Sequence, residues 1–331
     1  MRTTLVFDPS PPKSARGKSR TILRERLREF LFAPDSDTWL ALLRIGLGFQ
    51  VTLYCLSLRS AWNHLFAGDS NGFIGRDLTE ALLTIDSPFA PRLGWLVSLG
   101  SRLGLGEETI LFLAWVFLLC AGCFLLFGLF CRPSAAVAWF LHLCAVKSGN
   151  FVAYGMDNFT TIGLFYLMVA PLPDHHALDW KFWKPQNSDP RMLGFHRRVL
   201  QLHLCIIYFF GGITKCLGAG WWTGESMWRA LTRPPFHLIS TQILVSWQPV
   251  LPFLGIAVCL LETGFPILIW FRKTRLIWLV CVLGMHVAIG LTMGLYLFAL
   301  IMIVLDIAAF GPGVLAGQSE KSKFCRQEAI A

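Results

Sequence analysis

From residue 39 onward the chain alternates long apolar runs with short polar joints, and few charges interrupt the runs. Crossing a ~30 Å hydrocarbon core takes ~20 helical residues. The pattern predicts an all-α integral membrane protein, a bundle of about eight transmembrane helices at 39–58, 108–131, 134–148, 157–171, 195–215, 249–271, 275–290 and 294–311. The last two come from one apolar run, Leu276 to Phe310. As a single helix that run would be about 52 Å long at ~1.5 Å per residue, so it is expected to fold back about Gly290-Leu-Thr-Met-Gly294. The third and fourth segments are also short and join through Lys147-Ser-Gly-Asn150. Short spans leave room for a water-accessible vestibule.

The flanks are polar in distinct ways. Residues 1–20 are rich in Pro, Ser, Lys and Arg and read as an unstructured arm. In 21–33, Ile22, Leu23, Leu27, Phe30 and Leu31 share one helical face, with Arg24, Arg26 and Arg28 off it. That predicts an interfacial helix on an anionic leaflet. Ser36-Asp37 then offers an N-cap to the first span. The expected organisation is a cytosolic basic arm and interfacial helix over 1–38, a transmembrane domain over 39–311 and a cytosolic tail over 312–331. No apolar signal-peptide core stands in the first 38 residues, so the first span is expected to direct insertion.

Composition agrees with a lipid solvent. Of 331 residues, 55% are hydrophobic and 15% charged, against about 25% charged in an average soluble domain. Of the 10 cysteines, Cys55, Cys120, Cys123, Cys144, Cys205, Cys259 and Cys281 lie inside apolar runs, where they read as small buried hydrophobes rather than a disulfide framework. The formal charge of +9 is spread over short flanks of the apolar runs, which points to anionic lipid and not to nucleic acid.

Those flanks also set a direction. With the N-terminus inside, inner segments hold 20 of the 29 Lys and Arg and outer segments eight, with Arg44 inside the first span. The bias predicts a multi-pass protein of the cell membrane with both termini cytoplasmic. Segments 59–107 and 216–248 then lie outside, aromatic and bearing Gly and Pro, and are expected to cover the outer face.

Ionisable groups inside a membrane are costly and mark functional sites. In this topology Asp157 and Asn158 open the fourth span, Lys215 closes the fifth and His286 lies in the outer half of the seventh. Lys215 is the candidate base and His286 its proton-sharing partner. Asp157, Asn158 and Trp222 are candidate supports of the same pocket. Arg44 and Glu262 read as structural intramembrane charges: Glu262 pairs with Arg44 or is protonated and hydrogen-bonded. Asp306 is expected to meet inner bases such as Arg275. His175-His176-x2-Asp179 reads as a solvated polar turn, and no metal site is expected.

The segment Tyr208-Phe-Phe-Gly-Gly-Ile-Thr-Lys215, followed by Trp222-Thr-Gly224, resembles the lysine element of the vitamin K-dependent gamma-carboxylase-like membrane domain, also called the horizontally transferred transmembrane (HTTM) domain. Arg44-x-Gly46-x-Gly48, Asp157-Asn158 with Gly163-Leu164, and His286 with Gly294-x3-Phe298 extend the resemblance over residues 40–310. It implies an enzyme of carboxylase or oxygenase type, with the Lys215 equivalent as base, the His286 equivalent in the same pocket and a quinone-type lipid as the reacting molecule. Two departures qualify it. Asn158 stands where the carboxylases carry a further pocket histidine, and the chain ends about 20 residues after its last expected helix. Carboxylation of protein glutamates is therefore not expected.

Three functions remain open on these grounds. One is a membrane enzyme for a quinone-like or amphipathic substrate. Another is a non-catalytic accessory factor that binds or matures another membrane or secreted protein. A transporter ranks last, because no internal symmetry is visible and the candidate site lies off the midplane.

Overall fold

The computed structural model describes residues 13–328 apart from 69–74, 184–187 and 235–237, with side chains described from 22 to 312 other than Asp86. Of the arm expected to be unstructured over 1–20, residues 1–12 lie outside the described residues and 13–20 are instead helical, the first turns of α1. Among the described residues there are helices and no strand.

Helix α1 (Lys13–Leu31) leaves Ile22, Leu23 and Leu27 exposed and seats only its end, where Phe30 lies against Trp270 and the following Phe32 stacks on Phe195. Then come α2 (Thr38–Ser57), the short α3 (Trp62–Phe66), α4 (Arg76–Asp86) and α5 (Leu93–Arg102), and the long α6 (Glu107–Phe127). Next are α7 (Cys131–Ser148), α8 (Gly155–Val169), the short α9 (Leu178–Trp183) and the long α10 (Pro190–Leu217). The short α11 (Ala219–Trp222), α12 (Glu225–Thr232) and α13 (Thr241–Ser246) lead to α14 (Leu251–Leu268), α15 (Arg275–Met293) and α16 (Tyr296–Glu328).

Helices stand at each of the eight apolar segments, but only five are long and apolar enough to cross a membrane by length and composition: α2, α6, α10, α14 with the 3-10 turn before it, and α15. Of the other three, α8 has 15 residues and α7 is diluted by Arg132, His142 and Lys147, while the part of α16 whose side chains are described, Tyr296–Pro312, is apolar but short. The fold-back in the long apolar run is present, with Gly294 at φ 72° between α15 and α16. A left-handed backbone of this kind suits glycine, which has no Cβ to clash.

Two helix groups result. In the first, α2 packs on α6, α8 and α16, while α7 bridges α6 and α8. At Gly48 a Cβ would collide with the backbone of Leu126, so the glycine is what lets α2 and α6 approach backbone to backbone. The Gln50 amide donates to Thr160 Oγ1 at 3.3 Å and to the Leu297 carbonyl at 3.1 Å, tying α2 to α8 and α16. In the second group α10 packs on α14, α14 on α15 and α15 on α16. Because α16 also touches α2 and α10, it is the seam between the groups.

A polar seam between α10, α14, α15 and α16

Lys215, on the last turn of α10, meets Glu262 of α14 at 2.5 Å. Two glycines make the meeting possible. A Cβ on Gly212 would lie 2.6 Å from the Thr263 backbone nitrogen, and one on Gly211 would lie 3.2 Å from Glu262 Oε2. Any larger side chain at Gly212 would push the α14 backbone away from α10 and separate amine from carboxylate, whereas one at Gly211 would meet only the flexible ends of Glu262 and Lys215. The Lys215 ammonium also lies 5.5 Å from the centre of the Trp221 ring, within cation–π range.

Tyr208 lies seven residues before Lys215, two helical turns and about 10 Å along the same face. Its ring packs on Phe265 of α14, 4.1 Å between centroids. Its hydroxyl joins Asp306 Oδ2 of α16 at 2.7 Å and His286 Nε2 of α15 at 2.8 Å. Tyr208, His286 and Asp306 are all buried, and Asp306 Oδ1 and His286 Nδ1 have no hydrogen-bond partner among the described residues.

This chain of three has two proton arrangements. With Asp306 ionised, Tyr208 donates to it and accepts from His286 Nε2–H, leaving the Nδ1 lone pair free. With Asp306 protonated, the carboxyl donates to Tyr208, which donates to Nε2, and Nδ1 carries the imidazole proton. The two differ by one proton: passing from the second to the first, Asp306 gives its proton to Tyr208, Tyr208 gives its own to Nε2, and Nδ1 releases one to an acceptor outside the relay.

The structure redistributes several expected partners. Glu262 belongs to Lys215, not to Arg44, which instead forms a two-pronged pair with Asp174 at 2.6 and 3.2 Å and donates to the Leu125 carbonyl at 2.7 Å. Asp174 sits in the loop after α8, close to the end of α6, and reaches Arg44 where Glu262 of the other helix group does not. Asp306 faces Tyr208 rather than Arg275, because its side of α16 is turned into the seam. Asp157 accepts the Tyr154 backbone N–H at 2.9 Å and closes a capping box at the start of α8. It lines a separate cleft of about 220 Å³ with Tyr54 and Phe66, while Asn158 is exposed. Trp222 is half exposed and donates to the Cys216 carbonyl at 2.7 Å; its neighbour Trp221 is the indole beneath Lys215.

The polar turn of 175–179 consists of structural contacts. Asp179 accepts the backbone N–H groups of Phe130 and Cys131 at 2.8 and 2.7 Å, at the start of α7. His175 meets Asp37 through its backbone N–H at 2.7 Å and its ring Nδ1 at 2.5 Å. Burial alone would raise the Asp37 carboxyl, but these His175 contacts outweigh it and hold the group below its usual value. No cluster of His, Cys, Asp and Glu suited to a metal ion occurs among the described residues.

Sequence reasoning missed Tyr208, Asp306 and Trp221 as members of the seam. The signal for Tyr208 was its seven-residue spacing from Lys215. The side on which Asp306 meets it depends on how α16 is rotated against α10. No curated protein and no solved structure matches the chain. The family model described as HTTM domain matches residues 102–311, from the end of α5 to Gly311 in α16, and so includes every member of the polar seam. The chain therefore belongs to the HTTM domain family.

Proposed function

We propose that the seam is a proton-handling site for an amphipathic, quinone-like substrate, with Lys215 as base and His286 as its partner at the far end. The observation that carries this reading is the pairing of an accessible amine with a buried relay on one helix face. The Lys215 side chain keeps 26% of its surface accessible, so a molecule arriving in the lipid or interface can reach it. Glu262 can take the ammonium proton across 2.5 Å, which frees the amine to accept another from an acidic O–H. Within the seam, Asp306 Oδ1 and His286 Nδ1 are buried polar atoms without a partner among the described residues, left for a ligand group to satisfy. A quinone-type ring would supply the redox-active oxygens; this chain supplies the acceptors and holds them in place.

The same proposal includes eight membrane crossings, with α7, α8 and α16 completed as short spans, and both termini at the cytoplasmic side of the cell membrane. The 20-to-eight distribution of Lys and Arg supports that direction. Lys215 then opens to the outer leaflet.

The test is mass spectrometry of lipid extracts from purified wild type and Lys215→Ala. A small molecule retained by the wild type and missing from the variant supports the site. Identical extracts, together with normal function of Lys215→Ala in cells and loss of function on altering 59–107 or 216–248, favour the accessory role.

A further inference from the structure

A second polar cleft, of about 150 Å³, opens where the α1–α2 linker meets the start of α10, the α14–α15 turn and α16. Arg197, Arg198 and Arg275 line it, against the single carboxylate of Asp35.

The protein holds each arginine in place without using it up. Arg197 donates from Nε to the Ala309 carbonyl at 2.9 Å and from Nη1 to Asp35 at 2.5 Å. Arg198 donates from Nε to the Phe30 carbonyl and from Nη1 to Gln201, with its guanidinium lying over the Phe30 and Trp270 rings at 4.4 and 5.1 Å. Arg275 donates from Nε and Nη2 to the Ile269 and Trp270 carbonyls. Nη2 of Arg197, Nη2 of Arg198 and Nη1 of Arg275 have no protein partner among the described residues, and none of the three is sealed from the surface. Three guanidinium groups fixed around one small space repel one another. A phosphate would relieve that repulsion and accept from several of the spare N–H groups, in the planar geometry that arginine favours.

We infer that this cleft binds the phosphate of an anionic phospholipid headgroup, in the leaflet on which α1 lies. The surface beside it decides for a lipid over soluble phosphate. Ile267 and Phe271 before Arg275, and Leu276 and Ile277 after it, are all exposed, and α1 adds Leu23 and Leu27. Acyl chains therefore find apolar surface next to the headgroup position. The inference does not rest on the Lys215 seam.

The experiment uses the full chain in a non-ionic detergent and follows thermal unfolding during titration with phosphatidylglycerol, phosphatidylcholine or inorganic phosphate. Phosphatidylglycerol should stabilise the protein at concentrations where the other two do not. Arg198→Gln, at a partly exposed side chain, should weaken that apparent affinity about tenfold. Arg59→Gln, beyond the far end of α2, should leave it unchanged. Equal effects of the two lipids overturn the inference, and so does an Arg198→Gln protein with wild-type affinity. Phosphate acting as strongly as phosphatidylglycerol overturns the lipid assignment. Should Arg198→Gln fail to fold, photoreactive phosphatidylglycerol on the wild type decides: cross-links within 30–35, 194–201 or 270–277 support the site, and cross-links confined to other segments refute it.

Discussion

Arg44 and Asp174 meet with 1% and 0% of their side-chain surfaces accessible, whereas Lys215 and Glu262 meet with 26% and 11%. The first pair is two-pronged, and a third guanidinium nitrogen is spent on the Leu125 carbonyl. It joins three pieces of chain, α2, the end of α6 and the loop after α8, in the more buried helix group. The second pair is a single contact at a helix end, held close by two glycines and backed by an indole. A charge pair sealed and fully bonded has nothing left to offer a ligand. A pair with one accessible member, two turns from a buried relay that still has unpartnered atoms, does. The surrounding helices differ in the same way: 56% of the apolar window of α2 is buried, against 22% in α14 and α15.

The sharpest way to break the comparison is to cut the sealed pair. Arg44→Ala leaves Asp174 buried without its partner, at a cost of about 3–5 kcal/mol. Little folded protein should accumulate in membranes, and Arg44→Lys should not restore it, because an ammonium cannot reproduce the two-pronged contact. Next in size is Gly212→Val, whose branched side chain would run into the Thr263 backbone. It should lower stability by about 1–3 kcal/mol in thermal unfolding and remove the proposed function of the seam as amine and carboxylate separate. Gly211→Ala, whose added methyl meets only the far ends of Glu262 and Lys215, should cost less and serve as its control. Lys215→Ala leaves Glu262 without its amine but near an accessible end of the seam, and should cost about 1–3 kcal/mol, less than Arg44→Ala, while removing the proposed function.

The smallest effect is at Asp37, where α2 begins. Its carboxyl lies below the usual value in the folded chain, so its stabilising contribution is complete above about pH 4. That contribution is lost as pH falls through the lowered value. Asp37→Asn should flatten the acid limb of stability by a fraction of a kcal/mol, read as a smaller change in melting temperature between mildly and strongly acidic buffers.

Much of this was legible in the chain itself. Apolar run length located a helix at each of the eight segments, five of them long and apolar enough to cross a membrane, and Gly290–Gly294 marked the fold-back, because both signals are local. Lys215, His286 and Glu262 stood out because charge is rare in such runs. Their partners were not legible, since pairing depends on how each helix is rotated and on which loop reaches it. Asp174 lies 130 residues from Arg44, and the polar turn around it looked solvated. Depth gave no rule for putting Tyr208 between His286 and Asp306, and which of the adjacent indoles of α11 lies beneath the amine depends on how that short helix is turned.

The most direct test of the division between the two pairs is thermal unfolding of Arg44→Ala and Lys215→Ala in the same detergent as the wild type. Lys215→Ala should give a cooperative transition within a few degrees of wild type, and Arg44→Ala should give a strongly lowered transition or none. Equal losses in the two variants would show that Lys215 holds the fold as Arg44 does, and would contradict its assignment to the chemistry.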